Sequence, residues 1–90
     1  MLELFFTKKF KKDYKHCKKQ GKNLKALKNV IADLREGKIL SKEFQDHPLL
    51  GNYSGMRECH IEPDFLLIYR IDNEELVLTA VRLGSHSELL

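Results

Sequence analysis

Two segments in the first half of the chain carry apolar residues at helical spacing, and a short apolar run precedes them. Residues 2–6 are apolar apart from one Glu and lack turn residues, which is typical of a buried strand. In residues 8–19, Phe10, Tyr14 and Cys17 recur at helical intervals among lysines. This pattern predicts an amphipathic helix with a cationic outer face.

A second helix is predicted directly after the first. Gly21 ends the first helix, and Gly37 ends the second. Thr7 and Asn23 are suited to cap the two helix starts, because their side-chain oxygens can accept from free backbone N–H groups. The apolar side of the second helix consists of Leu24, Leu27, Ile31 and Leu34. The sequence therefore predicts a helical hairpin.

The second half of the chain has the pattern of a small sheet. Residues 38–54 lose any single period and predict an irregular connection. Three strand-like runs follow at residues 56–61, 65–71 and 76–83, and the last two are apolar on both faces, as central strands are. Short connections make these strands antiparallel neighbours. We therefore predict one α+β domain spanning residues 1–90, with both helices on one face of a mostly antiparallel sheet.

Charge is distributed unevenly along the chain. The 90 residues carry a net charge of +3. Residues 1–30 hold ten lysines and two acidic residues, a balance of +8, whereas residues 31–90 hold six basic and eleven acidic residues, a balance of −5. Such polarity favours association with a polyanion such as RNA, or with an acidic protein segment. The alternative is that the lysines form an ordinary solvated helix face.

Cysteine and histidine spacing does not favour a metal site, and no cofactor is expected. Cys17 and Cys59 lie far apart without a CxxC motif, so reduced thiols in the cytoplasm are the simplest interpretation. The apolar stretch at the N-terminus is too short for a signal peptide or a membrane span. Zinc binding by His47, Cys59, His60 and His86 competes for the same residues, but strand alternation sends Cys59 and His60 to opposite faces.

Strand pairing predicts a polar cluster at one end of the sheet. If the last turn centres near Asn73, Asp64 lies opposite Arg82. If the preceding turn centres near Pro63, His60 lies beside Leu66 at the same end. Alternation within the first of these strands turns His60, together with Glu58 and Glu62, away from the core. His86 follows Arg82 by four residues, after Gly84 and Ser85, and can reach the same place.

These side chains suit cleavage of RNA by its own 2′-hydroxyl group. One imidazole takes the 2′ proton, a second group protonates the departing 5′ oxygen, and the arginine stabilises the negative charge that grows on the phosphorane oxygens. Singly, Arg82 and Asp64 have ordinary alternatives as a surface ion-pair partner and a turn residue. His16 belongs to the lysine-rich helix and is interpreted as solvated.

Three strings give the chain a resemblance to a known family. FQDHPLLGNYSG, MRECHIEPDFLLIY and VRLGSHSELL resemble, in order and spacing, conserved segments of the YafQ-like branch of the RelE/ParE toxin superfamily. The resemblance implies a type II toxin with a RelE-like fold: a ribosome-dependent endoribonuclease that cuts mRNA and is inhibited by a cognate antitoxin. It implies catalytic roles for His47, His60 and His86, an acidic role for Asp64 and phosphate contact by Arg82.

The resulting hypothesis assigns His86 as the general acid, His60 or Asp64 as the base and His47 as a further donor or base. Basic and aromatic residues are expected to contact RNA: Lys8, Lys9, Lys11, Lys12, Lys15, Arg57 and Phe65. Two alternatives stay open. One is a non-catalytic toxin that binds a topoisomerase, as the ParE branch does, and the other is a basic RNA-binding module without turnover.

Overall fold

A computed structural model describes residues 1–90, and its element order extends the predicted one. The predicted hairpin and three later strands are all present, together with a two-residue strand, a short C-terminal helix and 3₁₀ turns at Lys42–Phe44 and Gly51–Tyr53. The main elements are β1 (Glu3–Phe6), α1 (Lys8–Lys19), α2 (Leu24–Arg35), β2 (His47–Pro48), β3 (Arg57–Glu62), β4 (Phe65–Asp72), β5 (Val77–Gly84) and α3 (His86–Leu89).

Both predicted helix caps are confirmed. The Thr7 hydroxyl accepts a hydrogen bond from the backbone N–H of Phe10 at 2.9 Å. The Asn23 side-chain carbonyl accepts from the N–H of Ala26 at 3.0 Å. Each bond satisfies an N–H that has no acceptor within its own helix, which explains why the two helices begin where they do.

The five strands form one sheet in the order β1-β5-β4-β3-β2. β1 runs parallel to β5, and every other pair is antiparallel. The helical hairpin between β1 and the later strands supplies the long connection that a parallel pair needs. The predicted α+β class and the mostly antiparallel sheet are confirmed.

The two faces of the sheet are covered differently. The main core lies between the sheet and both helices, where residues such as Phe10, Leu27, Leu67 and Tyr69 pack together. The opposite face carries a smaller apolar cluster of Leu66, Ile68 and Leu89, partly covered by Leu49, Tyr53, Met56 and Val81. β4 is therefore buried on both faces, as its apolar run predicts.

The prediction of an irregular segment at residues 38–54 was incomplete. It contains β2, whose two residues pair with Arg57 and Glu58 at the edge of the sheet. A strand of two residues is too short to show any periodicity, so its existence depends on partners that are distant in sequence. None of the helices has the length and apolar character required to span a membrane.

Candidate functional site

Strand register places most of the candidate residues in two adjacent rows on the face opposite α1 and α2. In one row, His47 pairs with Glu58, Glu58 with Ile68, and Ile68 with Arg82. In the next row, His60 pairs with Leu66, as predicted, and Leu66 with Gly84. Paired residues in neighbouring strands point to the same face, so both rows belong to the face with the smaller apolar cluster.

The predicted pairing of Asp64 with Arg82 was wrong. Arg82 lies opposite Ile68, and the register shifts between Ile68 and Tyr69. The last turn is centred later than Asn73, because Asp72 pairs with Val77. Asp72 stabilises this turn by accepting from the backbone N–H groups of the two glutamates that follow Asn73. Asp64 instead occupies the turn between β3 and β4.

Two histidines of the site are oriented by backbone carbonyls. His47 Nδ1 lies 2.7 Å from the carbonyl oxygen of Gln45, and His60 Nδ1 lies 3.4 Å from that of Pro63. A carbonyl can only accept, so in each pair the ring Nδ1 donates its N–H to the carbonyl oxygen. The two rings are 6.4 Å apart, and both Nε2 atoms face a common carboxylate.

That carboxylate belongs to Glu58, whose face of β3 was predicted correctly but for which no role was predicted. Glu58 Oε1 lies 3.6 Å from His47 Nε2 and 3.8 Å from His60 Nε2. The side chain is only 1% exposed, and its Oε2 atom has no hydrogen-bond partner. A buried carboxylate without a full set of partners is costly in free energy, which is typical of a functional rather than a structural position.

His86 lies at the first position of α3, beside the same group. Its ring centroid is 6.5 Å from that of His60. Asp64 accepts a hydrogen bond from the backbone N–H of His86 at 3.1 Å. Ser85 and Glu88 form a capping box, and Leu89 is buried in the smaller cluster. These contacts hold α3 against the end of the sheet, so His60, Asp64 and His86 come together as predicted, whereas Arg82, predicted for the same cluster, lies in the neighbouring row opposite Ile68.

Arg82 is held by residues from outside the sheet. Its Nε donates to Asp13 Oδ2 at 2.8 Å, its Nη2 to Asp13 Oδ1 at 3.2 Å, and its Nη1 to the hydroxyl of Tyr53 at 3.4 Å. The hydrogen bond to Asp13 raises the pKa of the guanidinium above its ordinary value, so Arg82 is a permanent cation. No sequence pattern indicates this pairing, because Asp13 belongs to α1.

The predicted RNA-contacting residues divide into three groups. The lysines of α1 are exposed, as that role requires: Lys8, Lys9, Lys11, Lys12 and Lys15. Arg57 pairs with Asp46 at 3.0 Å, and alternation along β3 turns it to the face opposite His60. Phe65 is 1% exposed within the main core, so the expectation that it contacts RNA was wrong. The ring of Phe65, at the start of central strand β4, is packed inside the core.

The competing metal site is not assembled by these residues. Cys59 is fully buried in the main core, on the opposite side of the sheet from the paired imidazoles. Burial raises the pKa of its thiol to about 12, which disfavours the thiolate that a metal requires. His16, predicted to be solvated, is exposed, and its Nε2 atom lies 3.1 Å from Glu88 Oε2.

Comparison with known proteins shows which family the chain belongs to. Residues 2–90 match the model of a family described as the bacterial toxin of type II toxin-antitoxin systems, YafQ. The chain belongs to the YafQ family. The mRNA interferase toxin YafQ of Escherichia coli strain K12 is 32% identical over 88 residues, which are 97% of this chain and 94% of that protein.

Solved structures of YafQ-like proteins share the whole fold. A metal-bound toxin from Helicobacter pylori is 47% identical with a TM-score of 0.93, and the match covers 100% of both chains. The toxin in the DinJ-YafQ complex of E. coli is 31% identical with a TM-score of 0.90, covering 100% of this chain and 99% of that one. The predicted family, RelE-like fold and type II toxin function are confirmed. The predicted enzyme class, an endoribonuclease, agrees with the name mRNA interferase.

Proposed function

We propose that this YafQ-family toxin cleaves mRNA on the ribosome, with the 2′-hydroxyl group of the RNA as the nucleophile. The observation that carries the proposal is the pair of imidazoles on His60 and His86, whose ring centroids are 6.5 Å apart. This separation lets one imidazole reach the 2′ oxygen and the other the 5′ oxygen of a single phosphodiester. Arg82, in the adjoining row of the sheet, supplies a cation for the phosphate oxygens.

His60 is the better candidate for the general base. Its Nδ1 faces the carbonyl of Pro63, so Nε2 is the ring nitrogen that accepts the 2′ proton in this proposal. Glu58 stabilises the imidazolium that results, since its Oε1 lies 3.8 Å from Nε2. Asp64 is less suited to the same role, because one of its oxygens already accepts the backbone N–H of His86. In this proposal Asp64 anchors the helix that carries the general acid.

His86 acts as the general acid. His47 is a third imidazole, which contacts the same Glu58 oxygen as His60. As the 2′ oxygen bonds to phosphorus, the bond to the 5′ oxygen breaks, and His86 gives that oxygen a proton. The products are a 2′,3′-cyclic phosphate and a free 5′-hydroxyl. His60 gains one proton and His86 loses one, so a proton exchange with solvent restores the site.

Cleavage of mRNA on programmed ribosomes, read by primer extension, tests the assignment. We expect His86→Ala to lower the single-turnover rate by about a hundredfold or more, the range of general acid catalysis. Ser87→Ala is the matched control, because Ser87 is an exposed neighbour in the same short helix. An unchanged rate for His86→Ala would remove His86 from the mechanism. An inactive wild type would favour the topoisomerase-binding or RNA-binding alternatives.

The same assay with and without ribosomes tests ribosome dependence. The exposed lysines of α1 support a contact with ribosomal RNA, because they offer charge without base-reading geometry. We expect cutting of the message only when it is bound to the ribosome, and action in the cytoplasm follows from that site of action. Cutting of free RNA at the same rate would contradict this part of the proposal.

A cognate antitoxin is the expected protein partner, since the related E. coli toxin is solved as a complex with DinJ. An open apolar groove of about 440 Å³ lies between β1, α1 and α2, with Phe6, Tyr14 and Ile31 among its walls. Lys11, Lys15 and Lys28 border this groove, which suits an acidic amphipathic segment.

Exchanging Lys15 and Lys28 for Glu should weaken antitoxin binding, measured by calorimetry, by tenfold or more. Equal affinity of this variant and the wild type would exclude the groove as the antitoxin site.

A further inference from the structure

Arg82 is fixed from one side by a residue of the lysine-rich helix. Asp13 accepts from both Nε and Nη2 of the guanidinium, at 2.8 and 3.2 Å. The side chains of Arg82 and Asp13 are 19% and 16% exposed, so water competes weakly with this ion pair. A bidentate contact on the Nε side defines the plane of the guanidinium as well as its position.

Asp13 is itself fixed by the backbone of β5. The parallel pairing of β1 with β5 ends at Phe6 and Ala80, which leaves the later N–H groups of β5 without a strand partner on that edge. Asp13 Oδ2 accepts from one of them, the N–H of Leu83, at 3.0 Å. The Asp13 carboxylate is hydrogen-bonded to the backbone of β5, the strand that carries Arg82. It therefore keeps its position when the arginine side chain samples other rotamers.

The guanidinium of Arg82 has more N–H donors than its protein partners use. A guanidinium has five N–H groups. Asp13 uses one on Nε and one on Nη2, and Tyr53 uses one on Nη1. One N–H on Nη1 and one on Nη2 therefore have no partner in the protein. Two such groups on adjacent nitrogens match two oxygens of a phosphate.

We propose that Asp13 is a positioning residue, which aims the two free N–H groups of Arg82 at the scissile phosphate of the RNA. This role rests on the proposed function, because it requires Arg82 to contact the substrate. It also links α1 directly to the site on the opposite face of the sheet. Without Asp13 the guanidinium retains its charge but loses its fixed plane. The orientation that contacts the phosphate is then only one of several that the Arg82 side chain adopts.

The expected consequence is a slower chemical step with little change in binding. Arg82 contributes most where charge grows on the phosphate oxygens, whereas affinity for the ribosome depends on many lysines. We expect Asp13→Asn to lower the single-turnover rate on saturating ribosomes about tenfold and to change ribosome affinity less than twofold. Asp33→Asn on α2 is the matched control, because Asp33 pairs only with Lys38 on the surface.

A double-mutant cycle separates positioning from a general structural effect. If Asp13 acts through Arg82, Asp13→Asn should have almost no further effect on the rate in an Arg82→Ala background. A tenfold loss in both backgrounds would overturn the proposal, as would a wild-type rate for Asp13→Asn. A faster Asp13→Asn would also overturn it, since Asp13 would then compete with the phosphate.

Asp13→Glu keeps the test decisive if Asp13→Asn does not fold, which circular dichroism would show. The longer side chain retains the charge but cannot hold both Arg82 and the N–H of Leu83 in the observed geometry, so a loss of rate is again expected. A wild-type rate for this variant, with the native thermal midpoint, would overturn the proposal. An inactive wild-type protein would overturn the proposed function as well, which distinguishes the two failures.

Discussion

Glu58 lies against two of the three histidines of the site, His47 and His60, although no motif marks it. It is buried beneath two imidazoles, with one oxygen facing both Nε2 atoms and the other without a partner. A buried anion in this position stabilises whichever imidazole carries a proton. The mechanism proposed above requires that stabilisation at His60 when it takes the 2′ proton.

Replacing Glu58 with Gln removes the charge and keeps the volume. We expect the single-turnover rate of RNA cleavage to fall about 10- to 100-fold, while the thermal midpoint stays within a few degrees, because the variant also removes an incompletely paired buried charge. Glu62→Gln is the matched control, since Glu62 is exposed at the end of the same strand. Cleavage by Glu58→Gln at the wild-type rate would refute the assigned role.

Single residues show where sequence reasoning succeeded and where it failed. The alternation of β3 predicted that His60 and Glu58 share a face and that Cys59 is internal, because successive side chains of a strand point to opposite faces of the sheet. The burial of Glu58 could not be predicted, since its neighbours include His47 of β2, a strand of only two residues that has no period of its own. The partner of Arg82 could not be predicted either, because Asp13 is 69 residues away in sequence.

At the scale of elements, the short helix α3 determines whether His86 reaches the site. The helix has only four residues, too few to be stable without its contacts. Ser85 donates its backbone N–H to Glu88 at 2.9 Å, and Glu88 also lies 3.1 Å from His16 of α1. Long, periodic elements such as α1 and α2 were predicted correctly, whereas α3 is formed by local capping and by docking of Leu89.

The capping interaction predicts a dependence on acidity. Hydrogen bonds from the Ser85 backbone and hydroxyl, followed by the charge of His16, lower the pKa of Glu88 below its ordinary value of 4.5. A lowered pKa in the folded state means that the stabilisation is complete above pH 4.5 and is lost as the pH falls through the lowered value. The amide proton resonance of Ser85 should therefore shift in that acidic range.

The control for this titration is Glu88→Gln, in which the shift of the Ser85 amide should disappear. An amide resonance of Ser85 that moves identically in both proteins would show that Glu88 does not control the cap. Loss of the shift, with the rest of the spectrum unchanged, would show that the carboxylate holds the start of α3.

At the scale of the whole molecule, cationic and catalytic residues occupy different faces. α1 and α2 cover one face of the sheet and carry most of the lysines, and the imidazoles lie on the other face. The charge polarity visible in the sequence thus corresponds to a spatial separation. Asp13 and Arg82 connect the two faces at the edge of the sheet.

The separation predicts how salt affects ribosome binding. Exchanging Lys8 and Lys12 for Gln should weaken binding and reduce the slope of log affinity against log salt by about 1.5, because each phosphate contact contributes about 0.7 to 0.9. Lys42→Gln, outside α1, is the control and should leave the slope unchanged. Equal slopes for the α1 variant and the wild type would show that these lysines do not contact RNA.

The most direct test of the central claim is cleavage of ribosome-bound mRNA that carries a single 2′-deoxy nucleotide immediately 5′ of the scissile phosphate. We predict that this message is not cut, and that the all-ribose message yields a 2′,3′-cyclic phosphate and a 5′-hydroxyl end. Cleavage of the 2′-deoxy message at a comparable rate would contradict the account, because the nucleophile could not then be the 2′-hydroxyl group.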